Sequence, residues 1–276
     1  MITTVQYYKK KDGEIFPVMI TLSPVLLEDE FLGVVEVFHD ISKETDIDRA
    51  KTEFASLASH QLKTPLTAMC WYTEMLMADR AGKISKKAHR YVKKIFANNQ
   101  RMVALVDALL NVSRIEMGTM AVIPKQIQLI EIIDSVLEEL SQQIQGDKLR
   151  IEKNYPQQSP TINIDPQLIR IVFQNLLSNA VKYSFEGGIV SISISTPDND
   201  HVFMTISDRG CGIPEDQQSH IFTKLFRAYN AIEKNPDGSG LGLYIVKALI
   251  EQSKGRIWFE SVENNGTNFY VSLPLA

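Results

Sequence analysis

Cysteine is almost missing from this chain: of its 276 residues only Cys70 and Cys211 are cysteines. Cys70 falls in a helical pattern and Cys211 in a glycine-rich loop, with no C-x-x-C spacing. Neither a disulfide framework nor a zinc site is indicated, and a reducing compartment such as the cytosol fits. Surplus positive charge is missing too. With 29 Lys and Arg against 33 Asp and Glu the net charge is −4, which leaves no basic excess to neutralise a phosphate backbone and demotes nucleic acid as a partner. No apolar run approaches the ~18–20 residues of a membrane span, and the N-terminus lacks the apolar core of a signal peptide. The expectation is a cytoplasmic chain without membrane contact of its own, any inner-membrane tether lying upstream of Met1. Repeats and low-complexity segments are absent as well. What remains is globular in character, 44% hydrophobic and 22% charged, and long enough for roughly two domains.

The chain opens with three predicted strands, Val5–Lys9, Phe16–Leu22 and Leu32–Phe38, the first two joined by a Lys11-Asp12-Gly13 turn. Three strands make too small a core to stand alone. From Ile41 to about Met77 the pattern turns helical, Ile47, Ala50, Phe54 and Leu57 stepping by three and four before Leu62, Leu66 and Met69. So narrow a seam suits a dimeric coiled coil. Pro65 lies inside this helix and should bend it one turn after His60. Residues 79–84 read as a hairpin turn, with Ser85 able to cap a second helix whose stripe runs from Ala88 to Ser113 and whose C-terminal signal is Gly118. Two such hairpins would bury their apolar faces as a four-helix bundle, which implies a C2 homodimer. The cluster Lys86, Lys87, Arg90, Lys93 and Lys94 reads first as a solvated face, with docking of an acidic partner as the other reading.

After Pro124 the organisation becomes mixed α/β. A strand at Ile127–Leu129 precedes a helix over Ile130–Ile144, then strands at Leu149–Asn154 and Thr161–Ile164. Asp165 and Pro166 start a helix that runs to about Tyr183. Strands at Ile189–Ser195 and Val202–Asp208, a glycine-rich stretch over 210–242, a helix over Leu241–Gln252 and strands near Arg256–Ser261 and Thr267–Leu273 complete it.

Several short patterns bear chemistry. Imidazole is a nucleophile that ordinarily titrates at ~6.5, so His60 is a candidate phosphate acceptor, although a lone helical histidine is more often structural. On the 166–183 helix, Asn175, Asn179 and Lys182 share one face. An asparagine carbonyl can ligate Mg²⁺ while a lysine neutralises phosphate, and equally an asparagine can simply hydrogen-bond within the core. Asp208, followed by Gly210 and Gly212, puts an acceptor-only carboxylate at a strand end where the backbone can approach a ligand closely. Gly238-Ser239-Gly240-Leu241-Gly242-Leu243 leads straight into a helix whose N-terminal N–H groups favour phosphate, and alone it is also an ordinary tight turn.

In order, the stretches beginning at His60 (His-Gln-Leu-Lys-Thr-Pro), Asn175 (Asn-Leu-Leu-Ser-Asn-Ala-Val-Lys-Tyr-Ser), Asp208 (Asp-Arg-Gly-Cys-Gly-Ile-Pro), Ile221 (Ile-Phe-Thr-Lys-Leu-Phe-Arg) and Gly238 (Gly-Ser-Gly-Leu-Gly-Leu) resemble the H, N, G1, F and G2 boxes of sensor histidine kinases. The resemblance runs from about Ile41 to the C-terminus. Lys10–Val25 with Phe31–Ser42 resembles the C-terminal half of a PAS sensor domain, an unrelated small β-meander being the other reading.

The resemblance implies a multidomain α+β fold in three parts. Residues 1–44 would be a partial PAS-like sheet, 45–121 a coiled-coil linker and the HisKA-type dimerisation and phosphotransfer hairpin, and 122–276 an α/β-sandwich ATP-binding domain of the GHKL (Bergerat) type. It further implies that Asn179 ligates Mg²⁺, that Asp208 binds the adenine amine with Gly210 and Gly212 at the base, and that Gly240, Leu241 and Gly242 meet the phosphates beside Asn175, Lys182 and Tyr183. A 215–237 lid would close over ATP, Phe222 and Phe226 anchoring it and Arg227 steadying phosphoryl charge. His60 would attack the γ-phosphate and later pass its phosphoryl group to an aspartate of a response regulator.

One position departs from the family pattern. Gln61 stands where an acidic residue usually follows the histidine, and an amide can orient the ring but cannot act as a base at neutral pH. Slow autophosphorylation follows, and Thr64, one turn on from His60, matches the position associated with regulator dephosphorylation. The competing readings are an ATP-binding scaffold that hardly phosphorylates and a GHKL ATPase of the chaperone or topoisomerase kind.

Overall fold

The computed structural model describes the chain apart from residues Met1, Glu28, Asp29, Asp79, Ala81, Thr119, Ala121, Asp198, Asn199, Asp237 and Ala276. The side chains of Ile2, Leu27, Asp48, Arg49, Thr52–Ser56, Ser59 and His60 also lie outside the description. Two compact units divide at Gln61 and Leu62.

In the first unit, β1 (Ile2–Lys9), β2 (Ile15–Leu27) and β3 (Glu30–Asp40) form an antiparallel sheet in that order. Gly13, at φ +95°, makes the first turn in a conformation that glycine adopts freely. Val18 and Ile20 are buried, while Phe31, Val37 and Phe38 stay about 60% exposed or more. The sheet therefore hides little apolar surface of its own, as expected of so few strands. The strands outrun their predicted limits because pairing, from Ile2 with Leu22 to Leu27 with Glu30, continues past the apolar runs.

Helix α1 (Ser42–Met77) carries Pro65 in its interior. Within the second unit its later half packs against α2 (Lys86–Glu116), burying Leu66, Thr73 and Asn99. Asn99 Nδ2 donates to Leu66 O at 2.6 Å, and Lys63 pairs with Asp107 at 2.9 Å. Ser85 caps α2 by accepting from Ala88 N, as its position predicts. At the other end the cap residue is Met117, and Gly118 follows at φ +61° with its N–H on Ile115 O. Of the predicted turn, Asp79 and Ala81 lie outside the described residues. Leu62, Met69, Tyr91, Ile95, Met102, Leu105 and Leu109 of this hairpin remain exposed.

The rest of the second unit is a two-layer α/β structure. A five-stranded sheet runs β5 (Arg150–Asn154), β7 (Ile189–Ser195), β8 (His201–Asp208), β10 (Gly266–Pro274) and β9 (Arg256–Val262), parallel only between β5 and β7. A two-stranded ribbon pairs β4 (Lys125–Gln128) with β6 (Thr161–Ile164). Alternate residues of β7 and β8 are buried, among them Val190, Ile192, Val202, Met204 and Ile206. They meet α5 (Pro166–Tyr183), through Phe173, Leu176, Leu177 and Val181, and α7 (Gly242–Gln252), through Ile245, Val246, Leu249 and Ile250. Asp165 accepts from Gln167 N and Leu168 N, so α5 starts where its Asp-Pro pair predicts.

The helix predicted over Ile130–Ile144 is two, α3 (Leu129–Glu139) and α4 (Ser141–Gly146). The chain turns at Leu140, whose N–H reaches back to Val136 O. Apolar spacing hides the break, because Leu140 and Ile144 both pack against the same core. No helix among the described residues is long and apolar enough to cross a membrane.

Candidate active site

A cavity of about 170 Å³ opens between the carboxyl end of β8, the last turns of α5, the start of α7 and the segment joining β8 to α7. That volume exceeds what a lone water fills. Asp208, the last residue of β8, lines the cavity, 9% exposed and with Oδ1 lacking any hydrogen-bond partner. Burial pushes its carboxyl up to about 7, opposed by N–H groups of Thr267 and Gly210 and by the Lys234 ammonium. An unpartnered buried acceptor is costly unless a ligand donor meets it.

The wall from α5 consists of Asn175, Ser178, Asn179, Lys182 and Tyr183. Their spacing on a helix whose opposite face is core decides this, as the pattern predicts. Asn175 Nδ2 donates to Ile171 O of its own helix at 2.8 Å. Burial, and next the neighbouring Arg227, hold the Lys182 ammonium below its ordinary range. Lys182 is thus a partly desolvated cation that an anion would relieve.

The glycines divide into two kinds. A Cβ on Gly210 would fall 1.9 Å from Tyr183 O, and one on Gly212, at φ +61°, 2.1 Å from Val262 O. Both are demanded by backbone packing, and of the two only Gly212 lines the cavity. Gly240 and Gly242 line it as well, while the Leu241 side chain between them is buried in the core. A Cβ on Gly242 would meet Asn175 Oδ1 at 2.5 Å, so its absence lets the start of α7 close on α5.

The segment over the cavity contains a 3₁₀ turn at Glu215–His220 and the short helix α6 (Tyr229–Lys234). Phe222 packs edge-on to Phe259 at 5.8 Å and Phe226 lines the cavity. Arg227 also lines it, but donates to Pro236 O at 2.8 Å, to Ala231 O at 3.1 Å and to Asn235 O, tying the segment to itself. Cys211 lines the cavity too, and burial pushes its thiol up.

Sequence reasoning missed Thr267 and Phe269 of the cavity wall, whereas Ile221, Ala228 and Ala231 fall within the 215–237 segment expected over it. Thr267 sits opposite Asp208 across the β8–β10 register, a pairing no local pattern announces. Of the residues predicted around the acceptor, Gln61 and Thr64 are exposed on α1, and the side chain of His60 lies outside the described residues. Among the described residues no cluster of three or more His, Cys, Asp or Glu side chains could hold a metal.

Residues 164–276 match the family of histidine kinase-, DNA gyrase B- and HSP90-like ATPases, and residues 50–118 match the His kinase A phospho-acceptor domain. Fold and site together define a GHKL-type ATPase domain joined to a phospho-acceptor helical hairpin. The sensor histidine kinase WalK of Bacillus subtilis strain 168 is 29% identical over 267 residues, 96% of this chain and 43% of that protein. The sensor protein kinase WalK of Staphylococcus aureus is 29% identical over 257 residues, 92% of this chain and 61% of that one. The chain thus spans about half the length of these curated relatives. Full-length ShkA in complex with AMPPNP shares the fold at a TM-score of 0.68 and 24% identity, over 81% of this chain and 46% of that one. The Acinetobacter baumannii histidine kinase AdeS does so at 0.57 and 22%, over 78% of this chain and 98% of its own. The chain thus carries a phospho-acceptor domain followed by an ATPase domain and is similar over more than nine tenths of its length to sensor histidine kinases.

Proposed function

We propose that the chain is the signalling core of a homodimeric kinase that autophosphorylates His60 from Mg-ATP and passes the phosphoryl group to an aspartate of a response regulator. The observation that carries this reading is Asp208 Oδ1, a buried acceptor without a partner in the wall of a cavity that Asn179 and the partly desolvated Lys182 also line. An exocyclic purine amine supplies the missing donor, and the phosphates then extend toward Lys182 and the loop of Gly240 and Gly242. The AMPPNP carried by the ShkA structure agrees with this assignment.

In the transfer, an imidazole nitrogen of His60 bonds to the γ-phosphorus as the bond to the β-phosphate oxygen breaks and ADP leaves. The imidazole N–H proton must pass to solvent or a nearby base, and Gln61 can only orient the ring. Lys182 balances charge on the phosphates. Asn179 would hold Mg²⁺ through its side-chain carbonyl, an oxygen donor of the kind that ion takes. When bound, that ion supplies neutralisation of charge on the phosphate oxygens. Thr64 would position water for the reverse duty, dephosphorylation of the regulator. The exposed Leu62, Ile95, Met102 and Leu109 of the hairpin support pairing with a second copy, and residues 1–44 fit a partial PAS-like sheet.

The test is incubation with γ-labelled ATP and Mg²⁺. Acid-labile, alkali-stable label should appear on the wild type and not on His60→Ala, and then move to a receiver domain. Steady ATP turnover indifferent to His60→Ala would instead place the chain with GHKL ATPases that do not use the hairpin.

A further inference from the structure

Helix α6 has six residues, and isolated helices shorter than roughly 12 residues are marginal in water. Other elements hold it in place. Ala231 and Asn235 face the cavity, while Asn230 and Lys234, four residues apart and so one above the other, point to different partners. Asn230 Nδ2 donates to Cys211 O at 3.1 Å and to Gly212 O at 3.0 Å, two carbonyls of the turn that follows Asp208. Lys234 Nζ donates to Tyr183 O at 2.7 Å and Ser184 O at 2.6 Å, and lies 4.6 Å from the centroid of the Phe185 ring.

Tyr183 is the last residue of α5 and Ser184 its cap residue. Carbonyls at a helix end lack intrahelical donors and carry the negative end of its dipole, so an ammonium there is doubly favoured. Lys234 thus caps, from another element, the helix that bears Asn175, Asn179 and Lys182. All four bonds end on backbone oxygens. Lid helix, base turn and the carboxyl end of α5 are thus joined by direct hydrogen bonds.

We propose that Asn230 and Lys234 are positioning residues that latch the lid helix to the base turn and to the carboxyl end of α5 before nucleotide arrives. The inference rests on the nucleotide-site reading above and adds the device that preorganises that site. A ligand's apparent affinity scales with the fraction of molecules already in the competent state. Removing the latch lowers that fraction, so nucleotide binding weakens while the reaction in the bound complex is little changed. The effect belongs to KM and not to kcat.

The experiment uses the full chain and the variants Asn230→Ala, Lys234→Met and Lys234→Arg. Amide hydrogen exchange over Tyr229–Asn235 is followed without nucleotide, and KM and kcat for ATP are taken from autophosphorylation. The wild type should protect these amides, and both Asn230→Ala and Lys234→Met should exchange there at least about tenfold faster. KM should rise roughly five- to twentyfold with kcat within about twofold, the scale expected on losing one or two hydrogen bonds. Lys234→Arg, which can still donate to both carbonyls, should restore protection and KM. A wild type that binds ATP but leaves its lid unprotected overturns the latch alone, whether or not the variants fold. So does an unchanged KM in both disrupting variants. A wild type with a protected lid that binds no ATP overturns the nucleotide reading, and with it the latch's role in binding.

Discussion

The ammonium of Lys224 forms an ion pair with the carboxylate of Glu116, the last residue of α2, while lying 5.2 Å from the ring centroid of Tyr244 on α7. The Tyr244 hydroxyl donates to the same carboxylate at 3.4 Å, and Val112, one turn earlier, is buried in the shared core. Both charged side chains are more than 40% exposed, so the pair is screened and worth less than about 1 kcal/mol. Glu116→Gln should lower the thermal midpoint by no more than about 3 °C in low salt, and the difference should vanish near 0.5 M salt. A larger, salt-independent loss would mean that the carboxylate does more than pair with Lys224.

Asp208 should give the stability of the nucleotide-free protein a distinctive pH dependence. Its carboxyl is pushed up to about 7 from an ordinary 3.8, so the folded state binds more protons than the unfolded one between those values. The stability this contributes is fully present below about pH 4 and is lost as pH rises through about 7. Asp208→Asn removes the effect. The wild type should therefore lose ground to the variant between pH 4 and 7, by on the order of 2–4 kcal/mol in all, and hold a constant difference above that. Denaturant titrations at several pH values measure it, and parallel curves would refute the assignment. ATP affinity of the variant should drop at least about tenfold.

Gly242 can be tested through its neighbour. A methyl there would meet Asn175 Oδ1 at 2.5 Å, and Asn175 is tied to Ile171 O by its Nδ2. Gly242→Ala should cost about 1–3 kcal/mol through overpacking and weaken ATP binding more than tenfold. Adding Asn175→Ala opens room for the methyl. The pair should couple by more than about 0.5 kcal/mol in a double-mutant cycle of stability, and strict additivity would show that the two side chains do not meet.

Gln61→Glu should raise autophosphorylation. Gln61 is exposed on α1, so the change leaves the fold alone and adds only a group able to accept the imidazole proton. General base catalysis is typically worth ~10²–10⁴ in rate, and a gain of at least about tenfold in initial acid-labile labelling is expected, with His60→Ala as the blank. Rates within twofold of wild type would show that the residue after the histidine does not limit the reaction.

The parts of the molecule readable from sequence are those whose cause is local. The Asp165-Pro166 start, the alternation along β7 and β8, and the shared face of Asn175, Asn179 and Lys182 each follow from a period or a cap within one element. The turn at Leu140 was hidden because apolar spacing runs straight through it. Lys234 was hidden for a different reason: its partners at Tyr183 and Ser184 stand about fifty residues earlier, and nothing in Ala231–Asn235 signals them. Gly210 was legible as a glycine but for another cause, since it yields to the Tyr183 carbonyl and takes no place on the cavity wall.

Tyr183 O accepts from Cys211 N at 3.1 Å and from Lys234 Nζ at 2.7 Å, so three remote stretches of chain end on one oxygen. Each contact requires closing a long loop whose entropy is lost before the contact repays it. The Cys211 contact sits at the end of β8 and can form only after that strand has joined the sheet. The lid's anchorage thus depends on stretches far apart in the chain, and a change at any one of them can loosen it while the core stays packed.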